Sequence, residues 1–173
     1  MSYKKHLIML LILSLIFTFT GCLGKLLPTT PSVTPPAGTA GVLYLEPANL
    51  TLSPSQDFTV ELKATSITNL KGYSVTLSYD PALISLQEVT EGPFFSSKGK
   101  TFFYSKEENG AVLIDCALLG PELSVSGEGT LATLSFTCLK AGSTGIEFSL
   151  AKTRDTLNKE IVTTKRNTKL KSK

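Results

Sequence analysis

The sequence predicts an all-β fold, an antiparallel β-sandwich of about nine strands, preceded by segments that lie outside the core. Three observations carry this. From Val42 onward apolar residues alternate with polar ones instead of recurring at helical spacing. Turn residues interrupt the alternation every 10–15 residues or about that, the punctuation of short strands joined by tight connections. The remaining stretch, residues 42–173, is long enough for one buried core and carries no long helical pattern.

The elements follow in order. After the Ser53-Pro54-Ser55 turn, Phe58, Val60 and Leu62 alternate as one strand. Tyr73, Val75, Leu77 and Tyr79 form the next, which Asp80-Pro81 ends. Proline has no N–H for a ladder, and aspartate caps the turn that follows. Further turns are signalled at Glu91-Gly92-Pro93 and Glu108-Asn109-Gly110, leading into a Val112–Leu118 strand with Val112, Ile114 and Cys116 on one parity. Gly120-Pro121 ends it. Gly127 and Gly129 permit positive φ where the chain re-enters a strand that carries Leu134 and Phe136. After Ala141-Gly142-Ser143, Ile146, Phe148 and Leu150 share the inward parity. The sandwich is bounded at 42–162, and residues 163–173 are either a basic tail or the last strand. No internal repeat is present.

The N-terminus is of another kind. Lys4 and Lys5 precede an apolar run from Leu7 to Phe19, which ends in Phe19-Thr20-Gly21-Cys22. The run falls short of the roughly 20 apolar residues of a membrane span and reads as a secretory signal over residues 1–21. Cys22 resembles the acylated cysteine of prokaryotic lipoprotein signals. That resemblance implies lipidation at Cys22 and an extracytoplasmic chain anchored to the membrane, on the cell surface or the periplasmic face. Residues 22–41 then form a Pro/Thr-rich linker in which Pro28, Pro31, Pro35 and Pro36 favour extended, solvated chain. At about 3.1 Å per residue, residues 25–41 reach up to ~50 Å.

Charge and composition exclude several functions. Residues 42–160 hold nine cations against 14 acids, while the segment from Ile161 holds five cations and no acid. A mildly acidic domain with a basic end argues against a nucleic-acid-binding face. The basic end reads as a solvated terminus or a contact for anionic lipid or an acidic partner. His6 is the only histidine and belongs to the signal, and there is no tryptophan. Without histidine there is no Ser-His-Asp or Cys-His constellation and no typical zinc site. No phosphate loop or EF-hand loop appears either, and no pair of acids sits in a recognisable glycosidase setting. The sequence does not read as an enzyme, and no metal ligands are assigned. Asn49-Leu50-Thr51 matches a glycosylation acceptor.

The stretch Leu70-Lys71-Gly72-Tyr73-Ser74-Val75-Thr76-Leu77-Ser78-Tyr79-Asp80-Pro81-Ala82-Leu83 resembles the signature strand of cohesin modules. The pattern continues with Glu91-Gly92-Pro93-Phe94-Phe95, Asn109-Gly110-Ala111-Val112-Leu113-Ile114, Ser126-Gly127-Glu128-Gly129-Thr130-Leu131 and Ala141-Gly142-Ser143-Thr144-Gly145-Ile146. The likeness runs from about Val42 to about Leu150. The segment Ile161–Asn167 departs from it, lacking the glycine turn and apolar pair that usually end the module.

The resemblance implies a jelly-roll type sandwich whose flat sheet face holds a dockerin, a calcium-loaded helical module of other secreted proteins. Calcium then belongs to the partner, and this chain needs no cofactor. By strand parity the outward residues, hence the implied contacts, are Gly72, Ser74, Thr76 and Ser78, then Leu113, Asp115 and Ala117, then Glu147 and Ser149. Cys116 and Cys138 both fall on inward parity and are either bridged across the sheets or buried as thiols. Two other functions share this architecture. A carbohydrate-binding module would stack polysaccharide on exposed rings, and Phe94, Phe95, Phe102, Phe103 and Tyr104 are the dense aromatic group. An envelope scaffold lipoprotein would organise surface assemblies without a dockerin.

Overall fold

The computed structural model describes residues 41–173; the predicted signal, Cys22 and the linker before Gly41 lie outside the described residues. Eleven strands and one short helix follow one another. They are β1 (Gly41–Glu46), β2 (Asn49–Leu52), β3 (Asp57–Leu70), β4 (Gly72–Ser78) and β5 (Ile84–Glu91), then α1 (Pro93–Ser96). After it come β6 (Thr101–Glu108), β7 (Ala111–Leu118), β8 (Val125–Cys138), β9 (Gly142–Arg154), β10 (Thr163–Arg166) and β11 (Thr168–Ser172). They form a sandwich of a five-stranded sheet, β10-β1-β3-β8-β5, and a six-stranded sheet, β2-β11-β9-β4-β7-β6.

The expected sandwich is therefore present, with eleven strands in place of about nine. The excess comes from the two ends of the domain, each of which is divided between the sheets. The N-terminal part leaves β1 at Glu46-Pro47 and continues as β2, and the C-terminal part crosses at Asn167 from β10 to β11. Residues 163–172 are thus almost wholly strand, and Leu170 buries its side chain in the core. The sheets are also not purely antiparallel. β1 lies parallel to β10, and β2 lies parallel to β11.

The core sits between the layers. Phe58 and Phe136 stack with centroids 5.5 Å apart, and Tyr79 meets Phe136 edge-on at 5.3 Å. Tyr73 crosses the sandwich: its ring packs on Phe95, and its hydroxyl donates to the Leu131 carbonyl at 3.0 Å. The buried phenol is thereby satisfied, and β4 of one sheet is tied to β8 of the other.

The turns behave as their chemistry requires. Asn109 (φ 52°) and Gly110 (φ 77°) make the two-residue link from β6 to β7, where positive φ at both positions matches the strand twist. The Asp80 carboxylate accepts the Ala82 N–H at 2.9 Å, capping the turn after β4. Gly127 has φ 104°, whereas Gly129 is glycine for another reason. A Cβ there would run into the Phe94 ring.

The strand parity expected for Leu150 is corrected. A bulge in the β4–β9 ladder, between the pairs Thr76–Leu150 and Leu77–Phe148, makes Ser149 the extra residue. Beyond it the alternation is reversed, so Leu150 points outward and is 41% exposed. Cys116 and Cys138 are both free and buried, so the bridge is not formed. Cys116 pairs with Tyr73, which reaches Leu131, and Cys138 is seven residues further along that strand. That is about 23 Å of strand, against the ~7 Å that a bridge tolerates.

Candidate functional site

Strands β9, β4, β7 and β6 lie side by side, and their outward residues form four rows. The first row is Arg154, Gly72, Ala117 and Phe102; the second is Lys152, Ser74, Asp115 and Tyr104. The third is Leu150, Thr76, Leu113 and Lys106, and the fourth is Glu147, Ser78, Ala111 and Glu108. With strands about 4.8 Å apart and two residues advancing ~6.8 Å, the face measures roughly 14 by 20 Å. A helix ~10–12 Å across fits on it for almost four turns.

Of the contact residues expected from the sequence all but Ser149 stand in these rows, and Ser149 is the exposed bulge residue between Leu150 and Glu147. Gly72, Ser74, Thr76, Ser78, Leu113, Asp115 and Ala117 are half-buried, and Glu147 and Ser149 are exposed. Ser149 also serves the bulge, its hydroxyl donating to the Thr76 carbonyl at 3.0 Å. Small side chains occupy the middle strands and larger ones the flanks, so a docking element can approach the β4 and β7 backbones closely.

Lys106, Lys152 and Arg154 also lie on this face without having been expected there, as do Leu150, expected inward, and Phe102 and Tyr104, expected only as rings for a sugar. Phe102 and Tyr104 are 56% and 44% exposed, while Phe103 between them points inward and Phe95 is fully buried. The signal that would have found the β6 residues is the Asn109-Gly110 turn. A two-residue link opposes Glu108 to Ala111, and counting back opposes Tyr104 to Asp115 and Phe102 to Ala117. For the β9 residues no such signal exists, because the bulge is not written in the alternation.

At the first-row end the face sinks into a shallow depression of about 510 Å³. Gly72 and Ala117 form part of its lining, with Phe102 on one side and Lys152, Arg154 and Asn158 on the other. Arg154 is turned toward its own loop, where Nη1 donates to the Asn158 carbonyl at 3.4 Å. Asp155 Oδ1 closes that loop by accepting the Leu157 and Lys159 N–H groups, each at 2.8 Å. Behind the face, burial and the nearby Glu91 carboxylate push the Cys116 thiol up to about 12, so it stays protonated. Its Sγ lies 3.8 Å from Glu91 Oε1, and Thr101 donates to the other oxygen at 2.9 Å. Burial likewise pushes the Tyr73 phenol well above its usual range. Neither group is a nucleophile. Among the described residues no cluster of His, Cys, Asp and Glu is arranged to hold a metal ion.

A family model described as the cohesin domain matches residues 45–170, nearly the whole sandwich. The chain belongs to the cohesin family. Solved cohesins share its fold at low identity. A non-cellulosomal cohesin of the hyperthermophilic archaeon Archaeoglobus fulgidus superposes with a TM-score of 0.67 at 15% identity, covering 78% of this chain and 91% of that one. The cohesin of a type I cohesin–dockerin complex from Clostridium thermocellum gives 0.68 at 12% identity, with 79% and 96% covered. A type II cohesin domain from the cellulosome of Acetivibrio cellulolyticus gives 0.65 at 16%, with 76% and 95% covered. No curated protein matches this cohesin in sequence. Asn49 lies exposed at the start of β2, outside the four-strand face. No helix among the described residues is long and apolar enough to cross a membrane.

Proposed function

We propose that this cohesin is a non-catalytic, extracytoplasmic adaptor that holds a dockerin-type helical module against the outer face of β9-β4-β7-β6, while a lipid on Cys22 tethers it to a membrane. The observation that carries the docking reading is the face itself: small residues along β4 and β7, exposed apolar groups at Leu150, Phe102 and Tyr104 on the flanking strands, and charge at the margins apart from Asp115. Small central side chains let a partner come close, and the flanking apolar groups give it area to bury. Solved relatives of the fold include cohesins in complex with dockerins. Calcium is assigned to the partner alone.

The test is capture from the secreted fraction of the source organism by immobilised residues 23–173, with calcium and with a chelator. The buried apolar residues run from Leu43 to Leu170, so this fragment keeps the described core. Calcium-dependent recovery of a dockerin-bearing protein is the expected result. Recovery of protein without a dockerin, equal in both conditions, supports the envelope scaffold instead. The tether is tested separately: Cys22→Ser should abolish fatty-acid labelling and move the protein from the membrane to the soluble fraction.

One observation favours a second reading. Phe102 and Tyr104 project from the same side of an edge strand and are both exposed, which suits stacking on a sugar chain. Retardation by soluble polysaccharide in affinity electrophoresis, lost in a Phe102→Ser, Tyr104→Ser double variant, would favour a carbohydrate-binding module. The context of polysaccharide degradation or surface assembly follows from whichever ligand is recovered.

A further inference from the structure

The outer face contains one polar atom that its surroundings do not satisfy. Asp115 Oδ1 is sealed from solvent and has no hydrogen-bond partner among the described residues. A carboxylate oxygen in that condition is costly unless a donor arrives from elsewhere. Its neighbourhood is asymmetric. On the β6 side the cross-strand neighbour is Tyr104, with Phe102 in the adjoining row, and both rings are exposed. On the β4 side the neighbour is Ser74, and the nearest cation of the row, Lys152, stands two strand spacings away, about 10 Å.

We propose that Asp115, Tyr104 and Phe102 form a subsite for a guanidinium group, the side chain of an arginine presented by the docked module. The subsite rests on the docking reading above and specifies a residue type for it. A planar cation pairs with a carboxylate through two parallel N–H bonds and also stacks on an aromatic face. An ammonium makes the charge contact without the planar match. A hydroxyl gains nothing from the rings, and a carboxylate is repelled by Asp115. Lys152 does not occupy the site, since Asp115 Oδ1 has no hydrogen-bond partner among the described residues. Oδ1 is sealed in the free chain, so the pairing requires a side-chain shift beside it, and its cross-strand neighbour Tyr104 is 44% exposed on an edge strand. Gly72 and Ala117 leave room for the incoming stem.

The test needs no dockerin. Labelled residues 23–173 are titrated with N-acetyl-arginine methylamide, and with the lysine and serine analogues, while backbone amide shifts are followed by NMR. The expected result is a saturable response at Phe102, Tyr104 and Asp115, several-fold tighter for arginine than for lysine and absent for serine. Asp115→Asn and Phe102→Ser should each weaken it by tenfold or more, with the rest of the spectrum unchanged. Equal responses to arginine and lysine, an arginine response that survives Asp115→Asn, or no saturable response overturns the subsite. Capture of a dockerin-bearing protein together with a negative titration overturns the subsite alone. A positive titration with no dockerin captured overturns the docking reading and leaves the subsite standing.

Discussion

The two outer faces of the sandwich are made of the same residue types and solve the same problem differently. On the five-stranded sheet several polar groups find partners within the face. Thr137 donates to Asp57 at 2.6 Å, and Lys63 lies 2.7 Å from Glu46 and 3.5 Å from Glu61. None of the exposed large apolar side chains comes from β1, β3, β5 or β8. On the six-stranded sheet Phe102, Tyr104 and Leu150 stand in solvent, and Asp115 keeps an unpaired oxygen. A face that satisfies itself has nothing to gain from a partner. A face with exposed rings and an unmet acceptor gains on being covered, and the difference supports the side proposed for docking.

The largest way to break this contrast is to place a charge at the middle of each face. Leu113→Arg should weaken dockerin capture by about 100-fold or more, the scale of a central hot spot. Ser135→Arg, on β8 of the other face, should leave capture unchanged, as read by isothermal titration with the captured module. Equal losses would erase the distinction between the faces. A smaller effect sharpens it. Asp115→Thr removes the unsatisfied acceptor and adds a good strand former, so thermal unfolding should show a gain of about 1 kcal/mol. The same variant should weaken capture, so stability and binding move in opposite directions. A loss of stability would mean that Asp115 is already satisfied.

The smallest effect belongs to the self-satisfied face. Lys63→Ala should cost only a few tenths of a kcal/mol, because the Lys63 pairs are exposed. Its hydrogen bond to Glu46 raises the Lys63 pKa above its ordinary 10.5. The contribution is therefore complete below that value and is lost as pH rises through the higher folded one. Denaturant midpoints of wild type and variant should converge at strongly alkaline pH, while capture at neutral pH stays unchanged.

Much of this arrangement is written in the sequence, and the gaps have physical causes. The alternations in β4 and β7 place Ser74, Thr76, Leu113 and Asp115 outward because both strands are regular and buried on one side only. Asn109-Gly110 states its turn type outright. The β9 bulge is silent, since one added residue reverses parity without changing composition, and so Lys152 and Arg154 stayed hidden. The C-terminal strands were ambiguous because Lys165, Arg166, Lys169 and Lys171 look like a solvated tail. Only Thr168 and Leu170, buried every second residue, give β11 away. The cysteines share a parity, but parity says nothing about height along a strand.

The end strands carry one more consequence. β2 has β11 as its only strand neighbour, and β1 is flanked by β3 and β10. Residues 49–52 therefore cannot join their ladder until residues 168–172 have been made and brought back to them. Such distant closure is slow compared with local turns. During synthesis the sandwich therefore stands with one sheet edge unfilled until residues 168–172 have emerged to receive β2.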